Sequence, residues 1–220
     1  MKKSPGGRIE CPSALPAPLS SLYPITMIRR VCVFCGSAMG VSPAFREAAA
    51  ALGTQFVERG LGLVFGGGSV GLMGVVADAV LDGGGEVIGV IPQALATKEL
   101  LHVGVRDMRR VGDMHERKAV MAENADAFVA LPGGYGTFEE LFEVITWAQL
   151  GFHRKNIGLL NVDSYFDPLV KFIDHAIESG FIKPAHRELI FVEREPAALL
   201  DRLVTHQMPV VRRWLGPDET

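Results

Sequence analysis

The chain has 220 residues, enough for one α/β domain with a full core. Hydrophobic residues make up 48% and charged residues 21%, which is the composition of a folded globular protein and excludes a disordered one. A net charge of −3 lacks the basic excess of a nucleic-acid binder, yet leaves room for a small anion held by local groups, and no apolar run is long enough to cross a bilayer.

Residues 1–28 are rich in Pro and Ser and have little periodicity, so they are expected to form a mobile tail. Prolines at 5, 12, 16, 18 and 24 break any apolar signal core behind Lys2 and Lys3. With three cysteines, Cys11, Cys32 and Cys35, an odd and small count, a reducing compartment is expected, and the chain reads as cytoplasmic. The organisation that follows is a folded domain over 29–205 and a second tail over 206–220.

Residues 30–34 predict a first strand, ended by Gly36-Ser37. Cys32 and Cys35 have CxxC spacing, but side chains alternate along a strand, so an offset of three puts the two sulfurs on opposite faces. Neither a redox pair nor a zinc pair is expected there. Ser42-Pro43 is a helix start, an N-cap followed by proline at the first helical position; the helix runs to about Arg59 and Gly60 closes it. A strand over 61–65 leads into Gly66-Gly67-Gly68-Ser69-Val70-Gly71 and a helix over 72–81. The turn Gly83–Gly85 precedes a strand over 86–91. An irregular loop or short helix then carries Lys98 and Glu99 to a short strand over 106–111, and Asp113 is placed to cap a helix over 114–124.

Residues 127–131 have the bulk of a buried parallel strand. The turn Pro132-Gly133-Gly134-Tyr135-Gly136-Thr137 follows, then a helix from Phe138 to near Leu150 with Phe138, Leu141, Phe142 and Ile145 on one face. A strand over 156–162, a helix over 167–178 closed by Gly180, a strand over 190–192 and a helix over 196–205 complete the chain. Strands alternating with helices in this way predict a single α/β domain, a parallel sheet covered by helices on both faces. Ligands of such sheets bind outside the carboxyl ends of the strands. Three glycine-bearing turns fall at such ends: Gly36-Ser37, Gly66–Gly71 and Gly133–Gly136. If their strands are neighbours, one crevice collects all three, with Ser37, Gly67, Gly68, Ser69, Gly133, Gly134, Tyr135 and Gly136 among its lining.

Gly66–Gly71 fits the GxGxxG fingerprint in nearly the right context. A dinucleotide site also wants an acid at the carboxyl end of the next strand to hold a ribose hydroxyl. The acid at that distance is Glu86, which opens its strand, so a phosphate site is favoured over a nicotinamide site. Tight helix–strand packing explains some of these glycines. No Walker A lysine follows either turn, which argues against NTP hydrolysis. At Gly133–Thr137 the backbone can approach an anion and the first helical amides point at it.

The acids beside that turn have two readings. Thr137 and Glu140 match a capping box, and Glu139 and Glu143 match a solvated face; alternatively, the three acids flank a phosphate cradle and do chemistry. Met114, Arg117, Lys118 and Met121 share one face of their helix. Arg117 either pairs with Asp113 four residues back or points, with Lys118, at a phosphate. Basic residues in a first turn oppose the helix dipole, which tips the balance towards an anion. No histidines pair at metal-ligand spacing, and no Ser-His-Asp order appears.

The strings MHERKA (114–119) and PGGYGTFEE (132–140) resemble the signature of the LONELY GUY (LOG) family, cytokinin riboside 5′-monophosphate phosphoribohydrolases that are often mislabelled lysine decarboxylases. The resemblance extends through VCVFCGS, VFGGGSVGLMG, VIGVIP, ITWAQLG and IGLLNVDSYFDPL, most of residues 30 to 182. It implies a Rossmann-like doubly wound sheet, a homodimer, and hydrolysis of the N-glycosidic bond of a purine riboside 5′-monophosphate without metal or cofactor. The family's catalytic arginine and glutamate fall on Arg117 and Glu140. Its substrate contacts fall on Lys118, Gly133 to Glu139 (Phe138 included) and Thr146, with Glu99 a further match. Met114 and Glu143 border these positions. Nothing in the chain marks a Schiff-base lysine for pyridoxal phosphate.

Overall fold

The computed structural model describes residues 27–97 and 100–209. Most of the expected N-terminal tail, Cys11, Lys98, Glu99 and residues 210–220 lie outside the described residues.

Among the described residues seven strands form one sheet: β1 (Arg30–Phe34), β2 (Gly62–Phe65), β3 (Val87–Pro92), β4 (Asp107–Val111), β5 (Ala127–Ala130), β6 (Ile157–Leu160) and β7 (Phe191–Glu193), in the order β4-β3-β2-β1-β5-β6-β7. Every adjacent pair is parallel. Parallel neighbours need long crossovers, and five helices supply most of them: α1 (Pro43–Glu58), α2 (Gly71–Asp82), α3 (Met114–Glu123), α4 (Tyr135–Leu150) and α5 (Asp167–Glu178); α6 (Pro196–Thr205) follows β7. The expected strands and helices are all present, most of them with shifted ends. Ser42 caps α1 as its sequence indicates, accepting from the Ala44 amide at 3.3 Å.

The period of two along each strand divides the core into two layers. Val31, Val33, Leu63 and Phe65 pack against Leu52 and Phe56 of α1, Val76 and Val80 of α2, and Leu199 and Leu203 of α6. Cys32, Phe34, Val64 and Phe128 pack against Met121 of α3, Leu141 and Val144 of α4, and Ile173 of α5. Cys32 and Cys35 fall in different layers as free thiols, and burial raises the pKa of both.

The chain winds from β1 through β2 and β3 to β4 in one direction, then returns to β5 on the far side of β1. The reversal lies between β1 and β5, the switch point where open α/β sheets hold their ligands. All three glycine turns gather there, because β2, β1 and β5 are consecutive neighbours. The Gly36 amide donates to the Pro132 carbonyl at 3.0 Å, and the Gly36 carbonyl accepts from the Leu72 amide at 3.0 Å. Gly71 is irreplaceable for packing: its φ is +60°, and a Cβ there would sit 2.2 Å from the Ser37 carbonyl carbon. Glu86 lies at the opposite edge, where its carboxylate pairs with Arg30 at 2.7 Å. The dinucleotide reading therefore lacks its ribose acid.

Candidate active site

Arg117 is aimed by the start of α3. Asp113 caps that helix by accepting from the amides of His115 at 2.8 Å and Glu116 at 2.9 Å, and Glu116 reaches back to the Gly112 amide at 2.6 Å. Asp113 is thus occupied with backbone and is not the partner of Arg117. The guanidinium crosses to the sheet instead. Its Nε donates to the Val90 carbonyl at 3.1 Å, its Nη2 to the Gly66 carbonyl at 3.4 Å, and its Nη1 lies 3.2 Å from Glu140 Oε1. Gly66 makes this reach possible, since a Cβ there would lie 1.9 Å from Nη2. The first glycine of the GxGxxG string makes room for an arginine.

Glu140 sits on the sixth residue of α4, not at the reach of a capping box. The helix starts at Tyr135 with Gly134 as N-cap and no side-chain cap, so Thr137 lies inside the first turn. The glycine pair lets the chain enter the helix three residues early. Thr137 is buried, with its hydroxyl 2.1 Å from where a Cβ on Gly133 would stand. On the expected apolar face, Phe138, Leu141 and Ile145 pack against the core but Phe142 does not. The buried residues are Thr137, Glu140, Leu141, Val144 and Ala148, whereas Phe142 is 39% exposed. Glu140 is therefore carried into the interior by the packed face of its helix. Burial raises its pKa to about 7, and the Arg117 charge pulls it only part of the way back.

Lys118, next along α3, is buried beside the same helix. Its ammonium binds Glu139 and, at 3.1 Å, Glu143. Burial works against that charge, but the two carboxylates outweigh it and hold the pKa above the usual lysine value. The site thus presents a buried guanidinium–carboxyl pair next to a second, lysine-centred cluster. Both stand beside a glycine turn whose helix opens without a side-chain cap.

A sequence profile described as "possible lysine decarboxylase" matches residues 73–203. A cytokinin riboside 5′-monophosphate phosphoribohydrolase of Arabidopsis thaliana is 59% identical over 162 residues, 74% of this chain and 75% of the relative. A probable enzyme of the same name from Oryza sativa is 56% identical over 175 residues, 80% of this chain and 83% of the relative. The chain belongs to the LOG family. Among solved structures, a molybdenum cofactor binding protein from Rippkaea orientalis superposes with a TM-score of 0.62 at 19% identity, covering 82% of this chain and 98% of that one. A molybdenum cofactor carrier protein from Chlamydomonas reinhardtii gives 0.61 at 22%, covering 80% and 98%. At that distance the likeness concerns the fold alone.

Not every residue expected from the LOG signature meets at one point. Arg117, Glu140 and Gly66 touch directly, and Lys118, Glu139 and Glu143 form the adjoining cluster. Met114 lies at the mouth, its sulfur 4.0 Å from Arg117 Nη1. Gly67 and Ser69 are tied to the strap at 100–102: the His102 amide donates to Gly67 at 3.0 Å and the Ser69 amide to Leu100 at 2.8 Å. Gly68 is buried between them, while Ser37, Gly134, Tyr135 and Gly136 are exposed at the rim, with Gly133 and Phe138 half-buried behind. Thr146 stands farther off, about 9 Å along the axis from Glu140 on the stripe of Glu139 and Glu143, and its hydroxyl bonds back to Phe142 at 2.7 Å. Glu99 is outside the described residues.

Sequence reasoning missed the Val90 and Gly66 carbonyls that aim Arg117, because backbone acceptors leave no mark in composition. It also assigned no role to Tyr165, whose hydroxyl donates to the Gly133 carbonyl. The decarboxylase description finds no support in Lys118, a charged ammonium held by two acids rather than a free amine.

Proposed function

We propose that this chain hydrolyses the N-glycosidic bond of N6-prenylated adenine or adenine riboside 5′-monophosphates, releasing the free base and ribose 5-phosphate. The contact between Arg117 and Glu140, 3.2 Å apart at the switch-point crevice, carries this reading. Breaking a ribosyl C–N bond builds positive charge on the sugar. A carboxylate facing C1′ stabilises that charge and orients or deprotonates the attacking water. The water oxygen bonds to C1′ as the C–N bond breaks, and its electron pair leaves with the base. Arg117 offsets the negative charge gathering there until a proton reaches the purine. The glycine turn and the amides opening α4 hold the 5′-phosphate, so that remote binding energy places the sugar.

Incubation with AMP and with isopentenyladenosine monophosphate tests this directly. Free base and ribose 5-phosphate should appear in equal amounts, and the kcat/KM ratio of the two substrates reports the preferred base. Intact nucleotide after prolonged incubation with both would overturn the assignment.

The working unit we infer is a homodimer in the cytoplasm. Support comes from the family resemblance and from the outer face of α4, where the large apolar side chain of Phe142 is 39% exposed. Among the described residues no helix is long and apolar enough to cross a membrane. Light scattering should give twice the chain mass, and Phe142→Asp should halve it; a monomeric parent would refute the dimer.

A further inference from the structure

Gly133 and Gly134 share one peptide unit at the heart of the proposed phosphate cradle. Glycine on both sides leaves that unit free to rotate, since no Cβ restricts either flank. A cradle needs the opposite property, an amide held still and pointing the right way. In a trans peptide the C=O and the N–H point in opposite directions. Whatever holds the Gly133 carbonyl therefore also aims the Gly134 N–H.

The hydroxyl of Tyr165 donates to that carbonyl from 32 residues away in sequence. Its ring is packed on several sides: Phe138 of α4 stacks at 6.5 Å, while Phe45 of α1 and Phe166 meet it edge-on at 5.9 and 5.1 Å. The backbone leading to it is strained, with Asp163 at φ 49° and Ser164 at φ 59°, a region that side-chain-bearing residues rarely adopt. That strained step is tied down by Ser42, whose hydroxyl donates to Asp163 Oδ2 at 2.6 Å, and by Asn161, which accepts from the Phe166 amide at 2.7 Å. On the other side of the peptide, Gly134 is exposed, and a Cβ there would meet nothing within 4 Å.

We propose that Tyr165 is a positioning residue for phosphate binding: its hydroxyl locks the Gly133–Gly134 peptide so that the Gly134 N–H faces the open side where the anion sits. This rests on the reading of the glycine turn as the phosphate cradle. Phenylalanine at 165 keeps the ring and removes only the anchor. Tyr165→Phe should raise KM for AMP about tenfold, the size of one well-placed hydrogen bond. The Ki of ribose 5-phosphate as an inhibitor should rise in parallel, with kcat within about twofold. Affinity for adenosine, which lacks the phosphate, should stay unchanged.

Phe45→Leu serves as the packing control. It loosens the ring and lowers Tm, but leaves the hydroxyl, so KM for AMP should barely move. Equal KM and Ki in the parent and Tyr165→Phe, or the same KM shift in both variants, would reduce Tyr165 to a packing residue and overturn the proposal. A parent that ribose 5-phosphate fails to inhibit would overturn the cradle itself, and this proposal with it.

Discussion

Replacing Glu140 by Gln should lower release of adenine from AMP by about a thousandfold or more, the scale of losing a charge aimed at the transition state. AMP affinity should change little, because the amide fills the same volume. The expected pH profile follows from burial. The Glu140 pKa is raised to about 7, so the carboxylate needed to face C1′ forms only as pH rises through that value. In the parent, kcat/KM should climb roughly tenfold per unit below pH 7 and flatten above it. A single limb near pH 6 would belong to the substrate's phosphate instead.

Stability moves the other way. Between the ordinary value of 4.5 and about 7, the native chain keeps a proton that the unfolded chain has lost, so stability falls across this window as pH rises. The penalty is on the order of 3 kcal/mol above pH 7. Glu140→Gln removes it. The variant should therefore melt above the parent at pH 8 and together with it near pH 4.5. Unchanged turnover in the variant would strip Glu140 of its role.

That carboxyl shows where sequence reading stops. The strands and glycine turns were legible because each is a local matter: an apolar run, a residue without a Cβ, a proline after a serine. Their convergence was legible only conditionally, since strand order decides it, and β2, β1 and β5 proved adjacent. The apolar face of α4 is legible in part: Phe138, Leu141 and Ile145 pack towards the core as their spacing indicates, but Phe142 stays exposed, and the helix also turns Val144 and Ala148 inward and takes Glu140 with them. Hydrophobicity could not predict a buried glutamate whose partner sits on another helix. Thr137 and Glu140 had capping-box spacing, yet the glycines before them let the helix begin earlier. The pairing of Arg117 with Glu140 came from likeness to a family, because no spacing rule joins residues of α3 and α4. Gly66 and Gly71 looked alike as letters; in the fold one clears room for a guanidinium and the other packs against a loop.

That difference allows Arg117 to be tested from two sides. The guanidinium spends three groups on three partners at once, the Val90 and Gly66 carbonyls and the Glu140 carboxyl. The three donors of a lysine ammonium radiate from a single nitrogen, so they cannot reach acceptors that the guanidinium meets from three separate nitrogens. Arg117→Lys should therefore lower kcat by about a hundredfold or more despite keeping the charge. Alanine at Gly66 attacks the same geometry from the other side. Its Cβ would stand 1.9 Å from Nη2, and the flexible end of a side chain yields before backbone does. The fold should survive, with Tm within a few degrees of the parent, while the guanidinium swings off Glu140. Gly66→Ala and Arg117→Lys should then share one kinetic defect, and the double variant should be no worse than either alone. Additive losses would mean that Gly66 acts on the substrate by itself, and that the arginine is not what its missing side chain accommodates.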